Sequence, residues 1–81
     1  MGTSAQQNLA YRKLCKRLRQ WREDADLTQR ELGAIFGKPH SYVHKCETGD
    51  RRIDPIELIY WCRACNIDPA AAIKQLSKAI K

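Results

Sequence analysis

Apolar residues recur along this chain at three- and four-residue steps, and nowhere do they alternate with polar ones as in a strand. From about Leu9 to Ala25 the series Tyr11, Leu14, Cys15, Leu18, Trp21 and Ala25 draws the stripe of an amphipathic helix. Arg12, Lys13, Lys16, Arg17 and Arg19 fill its other faces. Thr28, followed three residues later by Glu31, forms a capping box in which hydroxyl and carboxylate satisfy each other's free backbone N–H groups, so a second helix starts there. Leu32, Ile35 and Phe36 give it a buried edge, and Gly37 stops it. After Lys38-Pro39 a short, mostly polar helix fits His40 to Thr48, with Val43 and Cys46 as its core positions and Gly49 as a left-handed cap. Asp54-Pro55-Ile56-Glu57 combines cap, first-turn proline and third-position glutamate. It opens a fourth helix carrying Ile56, Leu58, Ile59, Trp61, Cys62 and Cys65. Asp68-Pro69 repeats the device for a fifth helix, with Ala72, Ile73, Leu76 and Ile80 on one side. The fold class is therefore all-α, with a loose polar tail over residues 1–8 and one domain over residues 9–81.

Length and charge narrow the function. A chain of 81 residues is a single domain that buries about 60–65% of its unfolded surface, too little for a cleft between domains. Its formal net charge of +6 points to an anionic partner: nucleic acid, a membrane surface or an acidic protein. The excess is spread out, with six basic residues against three acidic in residues 1–26, five against three in 27–53 and four against three in 54–81. Charge alone marks no binding face. No run approaches the roughly 20 apolar residues of a membrane span, and the first residues carry no signal-peptide core, so the expected location is the cytoplasm, at the nucleoid when DNA is bound.

Two helices joined by a glycine-containing turn, the second short and polar, form the pattern of a DNA-binding helix-turn-helix over about residues 28–48. The match goes further than the pattern of helices. Leu27-Thr28-Gln29-Arg30-Glu31-Leu32, then Phe36-Gly37, then Ser41-Tyr42-Val43, then Lys45-Cys46-Glu47-Thr48-Gly49 resembles the phage Cro/repressor type of domain known as the XRE family. The resemblance extends through Arg51-Arg52-Ile53 and Glu57 and back to Leu18 and Arg22, covering about residues 14–69. It implies a compact five-helix bundle of the lambda-repressor-like helix-turn-helix type. It further implies a small transcriptional regulator of bacterial or phage type, repressor-like and binding double-stranded DNA in a sequence-specific way.

Residue by residue, the resemblance places His40, Ser41, His44 and Lys45 against base edges, with Lys45 able to donate to guanine O6 or N7. Thr28, through its backbone N–H, and Gln29, at the start of the second helix, fall where the family binds a backbone phosphate. Arg51 and Arg52 match its basic loop after the recognition helix, and Tyr42 is a further phosphate or sugar contact. Arg22 and Glu47 match an internal ion pair joining the first helix to the end of the third. Three positions depart from the pattern. Asp26 replaces a glycine at a helix end that needs positive φ, Gly33 replaces an alanine where helices come close, and Pro39 stands where Ser or Thr often caps the recognition helix.

Other chemistries fit less well. Cys62-Arg63-Ala64-Cys65 has C-x-x-C form, with His40 and His44 upstream. Zinc fingers place their histidines after the cysteine pair, and Cys46 sits about 200° around the helix from His44. A redox pair wants its reactive thiol at a helix N-terminus, whereas this one lies near the end of the fourth helix. Buried apolar thiols are the plainer reading, with no metal and no cofactor. Tyr11, Trp21, Phe36 and Trp61 read as core rather than base-stacking platforms. No catalytic constellation appears, so no enzyme activity is expected. With no second domain for oligomerisation, a homodimer on a palindromic operator would pair through Ile73, Leu76 and Ile80, unless that edge closes the monomer's own core. The alternative to regulation keeps the fold and uses it as a protein-interaction or antitoxin-like accessory module.

Overall fold

The computed structural model describes the backbone of residues 2–80 and the side chains of residues 8–80. Five helices follow one another: α1 (Gly2–Asp24), α2 (Gln29–Ile35), α3 (His40–Thr48), α4 (Pro55–Ala64) and α5 (Pro69–Ile80). No strand occurs among the described residues, so the all-α expectation holds. α2 packs on α3, α1 runs against both α3 and α5, and α4 closes on α5.

α1 starts well before the apolar stripe does. Residues 2–8, expected as tail, continue its helical backbone. Thr3-Ser4-Ala5-Gln6-Gln7 contains no Pro or Gly, and extending a helix that packing has already nucleated costs little per residue. Leu9, in turn, is exposed, so the buried stripe begins at Leu14.

Three helix ends share one hydrogen-bond pattern, which is what lets so short a chain reverse direction so often. At the end of α1, Leu27 N–H donates to Arg22 O and Asp26 N–H to Glu23 O; after α2, Lys38 N–H reaches Gly33 O and Gly37 N–H reaches Ala34 O. After α4, Ile67 N–H donates to Cys62 O and Asn66 N–H to Arg63 O. The residue at each corner is left-handed: Asp26 (φ 62°), Gly37 (φ 67°) and Asn66 (φ 59°). Asp26 thus adopts the conformation for which the family pattern has glycine. Short polar side chains tolerate it because they can bond locally.

The core centres on Trp61, fully buried, whose indole N–H donates to Leu18 O at 3.1 Å. Leu14, Leu18, Trp21, Leu32, Val43, Cys46, Leu58, Cys62 and Ala72 surround it. Two expected core positions face solvent. Ile35 is 57% exposed because it lies on the flank of Leu32 opposite Phe36 and the buried Gly33, which mark the side of α2 that faces the core. Ile56 is exposed because the stripe of α4 runs through Leu58, Trp61, Cys62 and Cys65, with Ile56 about 200° around the helix from Leu58. Gly33 sits against the turn: a Cβ there would lie 2.7 Å from Lys38 O. The close approach of backbones explains why the position is occupied by a residue with no side chain.

Candidate nucleic-acid interface

α3 is held at both ends by backbone chemistry and in the middle by Val43 and Cys46, which are fully buried. Pro39 is its N-cap without a side-chain bond, as its lack of a polar group requires, and Gly49 closes it with φ 87°. Burying Val43 and Cys46 turns His40, Ser41, His44 and Lys45 outward, and all four are exposed. They occupy adjacent positions on the N-terminal two turns of one helix face, the geometry with which a recognition helix presents side chains to a groove.

Behind that face lies a charge network. Arg22 Nε donates to Glu47 Oε2 at 2.6 Å and Nη2 donates to Oε1 at 3.1 Å, a bidentate pair whose side chains are only 10% and 4% exposed. The third guanidinium contact, Nη1 to Leu27 O at 2.8 Å, ties the same arginine to the residue before the N-cap of α2. Donating these hydrogen bonds to Glu47 raises the Arg22 pKa, so the cation is fixed. Gln29 Nε2 also donates to Glu47 Oε1 at 3.2 Å and lies 3.4 Å from His44 Nδ1, which accepts when its proton is on Nε2. Gln29 and His40 line one hollow together with Arg30 and Thr28. The amide of Gln29 is thus oriented from beneath by the ion pair.

Three expected phosphate contacts are differently engaged. The N–H of Thr28 donates to Glu31 Oε1 at 2.8 Å while the Thr28 hydroxyl accepts from Glu31 N–H, so the capping box has consumed the donor. Tyr42 donates its hydroxyl proton to Glu57 Oε2 at 2.9 Å, and burial, then Glu57, push its pKa up. Arg51 is paired with the same carboxylate, Nη2 to Oε2 at 2.8 Å and Nη1 to Oε1 at 3.1 Å, and its guanidinium lies over the Tyr42 ring, 4.9 Å from its centre. Arg51 retains unused donors but is half-neutralised. Glu57 therefore has a second role beside capping α4, one with no signature in spacing because it depends on the return of the loop onto α4.

Arg52 is presented instead by α1. Its guanidinium stacks 4.0 Å from the centre of the Tyr11 ring, and the Tyr11 hydroxyl accepts the backbone N–H of Ile53 at 2.9 Å. Burial raises the Tyr11 pKa, keeping the phenol neutral. Tyr11 packs against the core and also anchors the basic loop, a role its apolar periodicity concealed. Among the described residues, neither Arg52 nor Lys45 is in an ion pair.

The cysteines are buried, and burial pushes their pKa up, that of Cys65 to about 11. Desolvation is the main cause, with the neighbouring Cys62 adding to it at Cys65. No helix among the described residues is long and apolar enough to cross a membrane.

A short turn joining α2 to an outward-facing α3, braced by a buried arginine–glutamate pair from α1, defines a helix-turn-helix domain. The chain belongs to the XRE type of that family: a family model described as a helix-turn-helix domain matches residues 14–72. A solved structure of an XRE-family like protein from Pseudomonas syringae pv. tomato str. DC3000 is similar over nearly the whole chain. It is 37% identical, covers 96% of this chain and 95% of that one, and superposes with a TM-score of 0.89. No curated protein gives a significant match. Domains of this type bind DNA and regulate transcription, and the fold is typically non-enzymatic.

Proposed function

We propose that this protein is a sequence-specific double-stranded DNA-binding regulator, repressor-like and of bacterial or phage type, that reads bases with His40, Ser41, His44 and Lys45. The observation that carries this reading is the exposed face of α3, where these four side chains stand free of ion pairs above a rigid Arg22–Glu47 support. Gln29, whose amide also donates to Glu47, and Arg52 are its phosphate contacts, with Arg51 contributing through the donors that Glu57 leaves free. Selection from random double-stranded oligonucleotides with the purified protein should enrich one motif. Lys45→Ala or His40→Ala should relax the preference at one position of it, at a cost of about 1–3 kcal/mol for each lost base contact. Absence of any enriched motif at any salt concentration would overturn the reading.

A palindromic operator requires two copies about one helical turn of DNA apart. Ile73 (48% exposed) and Ile80 (38%) on α5 supply an apolar edge for such a homodimer, while Leu76 between them packs against the monomer's own core. Sedimentation should show a dimer for the native chain and a monomer for Ile73→Asp; a native monomer at every concentration, with and without operator, would remove α5 pairing from the proposal.

A further inference from the structure

Away from the exposed isoleucines of α5, two more leave the core, Ile35 at the end of α2 and Ile56 on α4. Ile35 and Tyr60, each more than half exposed, line a groove of about 620 Å³ between the end of α2, the start of α3 and α4. Phe36 and Ala64 line it as well. Phe36 meets Trp61 at 5.9 Å and Tyr42 edge-on at 6.2 Å between ring centres, so this wall is fixed to the core rather than collapsible. Ile56 stands one turn before Tyr60 on α4 and prolongs the apolar surface.

The charges of this groove that lack an ion-pair partner are both positive. Its acid, Glu57, is already held by Arg51, Tyr42 and the N–H of Asp54. Lys38 and Arg63, the remaining charged lining residues, are exposed and in no ion pair among the described residues. Lys38 Nζ rests over the Tyr42 ring, 5.6 Å from its centre, and still has no carboxylate partner, so an apolar trough with two cations free of ion pairs at its rim asks for a ligand with apolar side chains a helical turn apart and carboxylates beside them. We propose that this groove docks an acidic amphipathic segment of a partner protein, with Tyr60 and Ile35 as its apolar contacts and Lys38 and Arg63 as its charge contacts. A second copy of this chain fits poorly, since two such grooves facing each other set the Lys38 and Arg63 of one against those of the other. The base-facing residues of α3 lie outside the lining, so a docked segment leaves His40, Ser41, His44 and Lys45 open to DNA.

The test is selection from a random linear-peptide library displayed on phage, against the full chain, with circular dichroism confirming that each variant folds. Enriched peptides should carry net negative charge and two or more Leu, Ile, Phe or Trp residues at three- or four-residue spacing. As synthetic fluorescent peptides they should bind the native protein roughly tenfold more tightly than Tyr60→Asp or Ile35→Asp. Lys38→Glu combined with Arg63→Glu should weaken them similarly and favour a charge-reversed peptide in their place. The proposal is overturned by peptides without acidic bias, by equal binding to the groove variants, by no enrichment, or by a native dimer that Tyr60→Asp dissociates.

Discussion

Replacing Glu47 by Ala is expected to lower the free energy of unfolding by about 3–5 kcal/mol, the usual cost of stranding one member of a buried ion pair. The guanidinium of Arg22 would keep its bond to Leu27 O but lose both partners on Glu47, in a site where its side chain is 10% exposed and water cannot replace them. Gln29 would lose its tether as well. For a domain of this size, whose whole stability is on the order of 4–12 kcal/mol, the variant would be marginal. Urea denaturation followed by circular dichroism measures the shift. The double variant Arg22→Met, Glu47→Leu should recover most of it, because removing both charges also removes their desolvation cost. Equal midpoints for Glu47→Ala and the native chain would show that the pair does not support the fold. The proposed DNA contacts depend on the same pair, since it fixes the angle between α1, the start of α2 and the end of α3.

That pair was legible in sequence only through family resemblance: Arg22 and Glu47 lie 25 positions apart, and no periodicity links them. The helices themselves were legible locally, since Thr28 with Glu31 and Asp54 with Glu57 are capping boxes whose partners lie three residues away, and both form as the spacing requires. What spacing could not reveal is which apolar residue of a short helix turns inward. Ile35 and Phe36 both neighbour Leu32 but on opposite flanks, and the buried side of α2 is the Phe36 flank, where Gly33 meets the turn, so Ile35 is left to solvent. Side chains serving two elements were the other blind spot. Tyr11 was visible as core and Arg52 as a loop cation, yet their stacking depends on where α1 passes the loop after α3, a contact across about forty residues.

Glu57 serves two elements at once, and its variant should have the second large effect. The Arg51 guanidinium, then the Asp54 N–H, hold its carboxyl at about 2, well below its usual 4.5. A carboxylate whose pKa is depressed on folding stabilises the native state above the unfolded value, and that contribution disappears as pH falls through the folded one. Because Arg51 is 44% exposed, screening reduces the gain to that of a surface pair, and up to about 1 kcal/mol is expected near neutral pH. Glu57→Gln removes the charge while its amide can still cap α4, since Gln serves in the same box. Its stability should therefore fall below that of the native protein by that amount at about pH 7 and pH 5, and the gap should narrow steadily between about pH 4.5 and pH 2. Urea titrations of both proteins across this range measure the difference directly. A gap that stays constant down to the lowest pH would mean that the loss comes from the shape of the side chain rather than from its charge, and that Arg51 is held over Tyr42 by stacking alone.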